Sequence, residues 1–154
     1  MHRIAVGDTM YIRNACGLLV SMALLGGCAT PPKATNFEKS KTYSISKDMI
    51  WEKLISFFTS NNIQIKTIEK DSGVIYAERA NADQSFADCG QPGLAAEMAR
   101  PATLNVFVRT TGDKTEVTVN TQFTSIRIFD GRTMTAPCHS TGLLERQLLS
   151  SLDG

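Results

Sequence analysis

Few side chains of this 154-residue chain could carry out chemistry, and the most notable belong to its cysteines and one histidine. Cys89, Cys138 and His139 lie in the second half of the chain. As a metal site they lack a fourth obvious ligand and the close Cys-x-x-Cys spacing of structural zinc sites. A catalytic pair of His139 and Ser140 would need adjacent residues to meet across one site, which is rare. We therefore expect no catalytic residue, metal or cofactor, and interpret His139 as a loop residue beside a helix cap.

A different chemistry is indicated near the N-terminus, where a cysteine directly follows an apolar run and two glycines. Residues 15–25, ACGLLVSMALL, have the length of a secretory hydrophobic region and are too short to span a bilayer as a helix. Arg13 supplies a positive charge before them. In this setting Leu25-Gly26-Gly27-Cys28 resembles the lipobox of bacterial lipoproteins.

The lipobox resemblance implies that Cys28 is a lipidation site. In that family the signal peptide, here residues 1–27, is removed, the cysteine sulfur receives a diacylglycerol, and the new amino group is usually acylated. Two or more acyl chains anchor a protein stably, so we expect a membrane-anchored protein without a transmembrane helix. Ala29 and Thr30 follow the cysteine where aspartate would retain a lipoprotein at the inner membrane. In a host with an outer membrane, this implies the periplasmic face of that membrane.

The position of the true start stays open. Met10 would begin a compact signal ending at residue 27, whereas Asp8 lies where a signal peptide normally has positive charge. Either start leaves the same mature chain.

The composition of the mature chain limits its class. Without residues 1–27, which contain two arginines and one aspartate, 127 residues remain, with 14 basic and 14 acidic side chains. This is the size of one ordinary domain with a short tether. Equal numbers of positive and negative charges give no electrostatic reason to expect nucleic acid as a partner. We expect an envelope protein complex as the partner instead.

Two cysteines remain once the signal is removed and Cys28 carries lipid. In an oxidising periplasm an isolated pair such as Cys89 and Cys138 indicates a disulfide. Two free thiols and the incomplete metal site described above are the alternatives.

The first half of the mature chain alternates between strand and helix patterns. Residues 28–40 are polar and contain two prolines, which indicates a flexible tether, and the domain then covers residues 41–154. Apolar residues recur every three or four positions from 47 to 60, which predicts a helix that Ser46 can cap. Alternating patterns predict three strands, at residues 41–46, 63–70 and 74–80, the last two joined by a glycine turn.

The second half is mostly strand pattern. Residues 81–101 predict a long loop with a helical turn near 94–98, and a loop of that length is either functional or held in place. Isoleucines 126 and 128 fall out of phase with the strand before them, so we expect a bulge or bend near Ser125. The remaining elements are strands at residues 103–111, 115–129 and 132–137, and a helix at 141–152 capped by Ser140 or Thr141.

This order predicts an α+β domain. It has an antiparallel sheet of about five to six strands, with the long helix and the C-terminal helix packed on one face, in the order β-α-β-β-β-β-β-α. The chain resembles the BamC-like helix-grip lipoproteins of outer-membrane assembly in its layout and its lipobox. The stretches WEKLISFFTSNNIQI and DSGVIYAE are also loosely similar to that family in sequence. The stretch CHSTGLLE, residues 138–145, is also similar to one in small envelope lipoproteins. The resemblance implies a helix-grip fold and assigns no site residue.

Three kinds of function fit these patterns. The one we favour is a non-enzymatic, membrane-anchored envelope lipoprotein that acts as a protein-binding or structural module. Because binding residues concentrate on loops of rigid scaffolds, we place the partner surface on the long loop, at Gln84, Phe86 and Gln91.

The alternatives are a module that holds a small apolar molecule and, less favoured, a cell-wall enzyme or inhibitor. Trp51, Phe57 and Phe58 could line a groove for an apolar ligand between helix and sheet, but aromatic residues facing a sheet are usually core.

Overall fold

The structure, a computed structural model, describes residues 29–153. It is an α+β domain in which an antiparallel sheet carries two helices, which confirms the predicted class. The sheet has eight strands, so the expected five to six was too low. The elements in chain order are β1 Ser40–Tyr43, α1 Lys47–Ser60, β2 Gln64–Glu69, β3 Val74–Arg79, β4 Ala87–Asp88, β5 Ala96–Ala99, β6 Ala102–Thr111, β7 Lys114–Phe129, β8 Arg132–Ser140 and α2 Leu143–Ser151.

Helix α1 has the predicted bounds because its signals are local. The Ser46 side chain accepts a hydrogen bond from the backbone N–H three residues further on, as a helix cap does. Ile50, Leu54 and Phe58 follow at four-residue spacing and are fully buried. The helix ends before Asn62, which has a positive φ of 54°, a conformation that asparagine tolerates.

One face of the sheet, here called the inner face, carries the core. Alternate residues of β6 and β7 point into it, and they form one buried cluster with side chains of α1 and α2: Leu104, Val106, Val108, Val117 and Val119. Both helices cover this face, as period-two burial in an antiparallel sheet requires.

The 16-residue strand β7 organises the sheet. The order across the sheet is β2-β3-β6-β7-β8-β4. β6 and then β5 pair along one edge of β7, while β1 and then β8 pair along the other. Four strands from both ends of the domain are therefore held by one strand.

The bulge predicted near Ser125 is wrong. β7 pairs with β8 without interruption, with Ser125 opposite Ala136, and the irregularity lies in β5 between Glu97 and Ala99. The isoleucines fall out of phase because the inner face becomes polar at this end, where Ser125 is buried. They lie on the outer face instead.

The predicted loop at 81–101 has more structure than its pattern suggested. It contains a 3-10 turn at Gln84–Phe86 and the strands β4 and β5, and no helical turn forms over 94–98. Strands of two and four residues are too short to display a periodic pattern, which explains why the sequence did not predict them. The segment leaves β3, reaches β4 at the far edge of the sheet, and returns to β5 beside β7.

Helix α2 starts at Leu143, and its capping residue is Gly142 rather than Ser140 or Thr141. Gly142 has a φ of +77°, which favours glycine, and a Cβ atom there would lie 2.4 Å from the ring of Phe37. Both the backbone conformation and the lack of space therefore favour glycine at this position. The Ser140 hydroxyl accepts from the N–H of Gly142 at 3.0 Å, and Thr141 donates to the carbonyl of Ser85 at 2.7 Å.

Residues 29–39, within the predicted tether, contain no helix or strand and lie along the domain. The carbonyl of Lys39 accepts from the N–H of Val119 at 2.8 Å, and Phe37 packs against Gly142. Cys28 lies outside the described residues. Among the helices of residues 29–153, none has the length and hydropathy needed to cross a bilayer.

Candidate binding cleft

The disulfide predicted between Cys89 and Cys138 is present, with an S–S distance of 2.05 Å. β4 pairs with β8 so that Ala87 faces Ser140 and Asp88 faces His139, and the next pair in this register is the two cysteines. Their Cα atoms are 4.2 Å apart, close to the spacing of directly opposed residues on neighbouring antiparallel strands. The bond therefore fixes the middle of segment 81–101 to the edge of the sheet.

A polar cluster lies under this segment, on the inner face. Arg127 donates through Nε to Ser125 Oγ at 2.9 Å and through a guanidinium nitrogen to the carbonyl of Cys89. Ser125 Oγ donates to Glu97 at 2.6 Å, and the other carboxylate oxygen of Glu97 forms an ion pair with Arg100. Because Ser125, Glu97 and Arg127 are all hydrogen-bonded, the inner face can be polar here without a large desolvation cost.

An open cleft of about 480 Å³ lies between residues 81–84 and strand β5. Arg79, residues 81–84 and residues 97–100 line it, and we call it the β5 cleft. Within residues 29–153, β5 pairs with β7 alone, so the second edge of β5 borders the cleft. At one end, the N–H of Ala82 donates to the carbonyl of Arg100 at 2.7 Å.

Two arginines give the β5 cleft its positive groups. The guanidinium of Arg79 lies 5.5 Å from the centre of the Phe86 ring, close enough for a cation–π contact. Arg100 is only 9% exposed, and its Nε has no hydrogen-bond partner among the described residues. Burying a donor without a partner costs free energy, which the ion pair between another guanidinium nitrogen of Arg100 and Glu97 offsets in part.

Asp83 places a negative charge at the rim of the same cleft. Its carboxylate accepts from the hydroxyl and the N–H of Ser85, at 2.6 and 2.8 Å, and so caps the 3-10 turn. These hydrogen bonds, with smaller contributions from Arg100 and Arg79, lower the pKa of Asp83. The rim is therefore negative at neutral pH while the arginines behind it are positive.

The three residues predicted to bind a partner lie in different places. Gln84 is exposed and lines both the β5 cleft and an adjoining cleft of about 220 Å³. Gln91 is exposed too, but its N–H donates to the carbonyl of Thr30 at 3.0 Å. Phe86 is only 8% exposed, which corrects our expectation that it lies on the surface. The ring is part of the buried core cluster, and the guanidinium of Arg79 lies over its face.

His139 is exposed on β8, opposite Asp88 of β4. Ser140 is its neighbour, and consecutive strand residues point to opposite faces. The Ser140 hydroxyl faces inward and donates to Glu145 at 2.7 Å. A Ser140–His139 pair is therefore not formed.

Sequence reasoning missed several polar residues that the fold buries. Glu145 is 1% exposed, its Oε1 accepts from Thr121 and Ser140, and its Oε2 has no partner within the described residues. Glu97, Arg100 and Arg127 were also not singled out. The only signal for Arg127 was its phase, since it continues the inward alternation of Phe123 and Ser125.

Comparison with protein-family models and with curated proteins gives no match to this chain. Within residues 29–153, no three His, Cys, Asp or Glu side chains come together where they could hold a metal ion. The aromatic residues considered for an apolar groove, Trp51, Phe57 and Phe58, are all part of the buried cluster.

Proposed function

We propose that this chain is a membrane-anchored envelope lipoprotein whose domain binds a protein partner in the β5 cleft, without enzymatic activity. The observation that carries the proposal is the geometry of segment 81–101. A disulfide fixes the segment to β8. The two ends of the segment, residues 81–84 and 97–100, line an open cleft along the edge of β5. Binding residues on loops held by a rigid scaffold are the common arrangement for recognition.

The cleft chemistry favours an extended protein segment that carries a carboxylate. A strand edge offers backbone donors and acceptors that an extended peptide can pair with. Arg79 lies beside that edge, and arginine binds carboxylates with charge-assisted hydrogen bonds, whereas Arg100 is already paired with Glu97. Gln84 adds an exposed amide at the same place.

The location in the envelope is supported by the sequence at the N-terminus. Leu25-Gly26-Gly27-Cys28 has the lipobox pattern, and Ala29 and Thr30 follow it. We include lipidation of Cys28, the periplasmic face of the outer membrane and the helix-grip likeness in the proposal. A disulfide between Cys89 and Cys138 is consistent with that compartment.

The proposal is tested by photocrosslinking in living cells. A photoreactive amino acid at Gln84 of the full chain is expected to capture one protein of defined mass. The same amino acid at Gln64, an exposed glutamine of β2, is the matched control and is expected to capture none. An Arg79→Glu change combined with the Gln84 probe should abolish capture, because it reverses the charge that meets the partner.

Crosslinking that is equal at Gln84 and Gln64, or that survives Arg79→Glu in a folded protein, would contradict binding in this cleft. The alternative of an apolar ligand between helix and sheet gains no support from the packing. Ile50, Leu54, Phe58 and Val106 are fully buried against one another there.

A further inference from the structure

The residues that follow the proposed lipidation site are fixed to the domain. The N–H of Gln91 donates to the carbonyl of Thr30 at 3.0 Å, and the N–H of Lys33 donates to Asp88 at 3.1 Å. Asp88 also accepts from the N–H of Gly90 at 2.8 Å, so one carboxylate joins the two chain segments.

Gly90 shows how closely the segments approach. It has a φ of +66°, and a Cβ atom there would lie 2.1 Å from the carbonyl oxygen of Thr30. A Cβ atom at Gly93 would lie 4.0 Å from that of Ala29. Any side chain at position 90 would displace residues 30–31, so glycine is required for this contact.

Residues 29–32 and 89–96 form a surface whose own side chains are uncharged, and Lys33, Asp88 and Glu97 border it. We call it the uncharged surface. Leu94 lies at its turn and is 87% exposed, the most exposed large apolar side chain of the described residues. Single exposed apolar residues are common on protein surfaces, and what distinguishes Leu94 is its place beside the proposed lipid anchor.

We propose that the uncharged surface rests on the lipid bilayer, with Leu94 inserted among the acyl chains. This rests on the proposed lipidation of Cys28, which directly precedes Ala29 in the sequence. Because residues 30 and 33 are bonded to the domain, the acyl chains emerge beside Gly93 and not at the end of a free tether. Interfacial amphipathic helices bury their apolar face roughly 5–10 Å into the boundary between headgroups and acyl chains. We expect Leu94 at a similar depth.

The test uses the full lipidated protein in vesicles of phosphatidylethanolamine and phosphatidylglycerol with brominated acyl chains, which quench tryptophan on contact. A Leu94→Trp variant is compared with Ile68→Trp. Ile68 is also an exposed apolar residue, 44% exposed, but it lies on β2 at the opposite edge of the sheet from β4. Trp51 is buried in the core and gives a constant background.

The emission added by Leu94→Trp should shift to the blue and be lost in brominated vesicles, whereas that of Ile68→Trp should stay. Flotation with vesicles and an acylated N-terminal fragment starting at Cys28 establish lipidation independently. An unquenched Leu94→Trp variant that floats, or equal quenching of both variants, would overturn membrane contact and leave the lipidation proposal standing. A protein without the acylated fragment would overturn both.

Discussion

At the scale of single residues, hydrogen bonds hold two buried polar side chains of this domain, Tyr43 and Glu145. The Tyr43 hydroxyl donates to the carbonyl of Leu149 at 2.6 Å from within the core. Glu145 accepts from two hydroxyls at the start of α2, where the N-terminal end of a helix favours a negative charge. Since these hydrogen bonds are lost on unfolding, we expect Tyr43 and Glu145 each to contribute measurably to the free energy of unfolding.

Tyr43→Phe should lower the free energy of unfolding by about 1 kcal/mol, because the carbonyl of Leu149 loses this donor and retains the longer hydrogen bond from the N–H of Leu152 at 3.4 Å. Burial, and then the charge of Asp153, raise the pKa of Tyr43 well above its ordinary value. The unfolded chain therefore ionises first, and stability that is fully present below about pH 10 is lost as the pH rises further.

Urea unfolding from pH 8 to pH 11 measures the effect of Tyr43. The Tyr43→Phe variant should show a smaller alkaline loss of stability than the wild type. Parallel pH profiles of the two proteins would show that Tyr43 does not titrate as its burial implies.

Glu145→Ala should lower the free energy of unfolding by about 1–3 kcal/mol, because the half-buried Thr121 and Ser140 hydroxyls lose their acceptor. Glu145→Gln is the matched control, since it keeps one acceptor oxygen and the same length. Chemical unfolding compares the two variants. Equal losses for Glu145→Ala and Glu145→Gln would contradict the role given to the hydroxyl contacts.

At the scale of elements, segment 81–101 crosses the inner face of the sheet, with some side chains buried in the core and others exposed to solvent. Within this segment, Phe86 and Ala87 are buried, while Gln84 and Leu94 are exposed. Its core contacts and its disulfide hold it in place, and its exposed residues are free to bind. Stability and binding can therefore be separated by mutation.

Phe86→Ala should cost about 3–5 kcal/mol, the usual loss for a buried aromatic ring. Gln84→Ala should change stability by less than about 0.5 kcal/mol, as for ordinary surface positions, and should weaken partner capture. Thermal unfolding of both variants is the measurement. A Phe86→Ala protein as stable as Gln84→Ala would show that the ring is not part of the core.

Replacing Cys89 and Cys138 together by alanine should lower stability by roughly 4 kcal/mol at most. The bond closes a 49-residue separation, and removing it restores chain entropy to the unfolded state. Amide exchange in β4 should accelerate more than in β6, because only β4 depends on the bond for its place at the edge. Uniform acceleration across both strands would contradict this local role.

At the scale of the whole molecule, the sequence predicted what is local. Helix α1 matched because Ser46, the apolar spacing and Asn61-Asn62 all lie within 17 residues of one another. The β2–β3 hairpin matched because its turn contains Gly73, which has a positive φ.

What the sequence did not predict depends on distant partners. β4 is two residues long and forms because β8 pairs with it. Ala87 and its partner Ser140 are 53 residues apart in sequence, and Asp88 and His139 are 51 apart, so only the fold brings them together. Of the proposed partner residues, Gln84 lines the cleft, whereas Phe86 is covered by an arginine that no local pattern connects to it. The β5 cleft is formed in the same way, by the return of segment 81–101 to β7.

The position of β7 also determines the order in which the domain can fold. β1 starts at residue 40, yet its pairing partners are residues 115–118 of β7. Contacts between residues so far apart in sequence form slowly, because a long loop must close before they contribute stability. A chain that emerges from its N-terminus therefore cannot complete its sheet until β7 has followed, although α1 and the β2–β3 hairpin can form earlier. On the proposed export across a membrane, such a chain stays open until β7, Lys114–Phe129, has arrived.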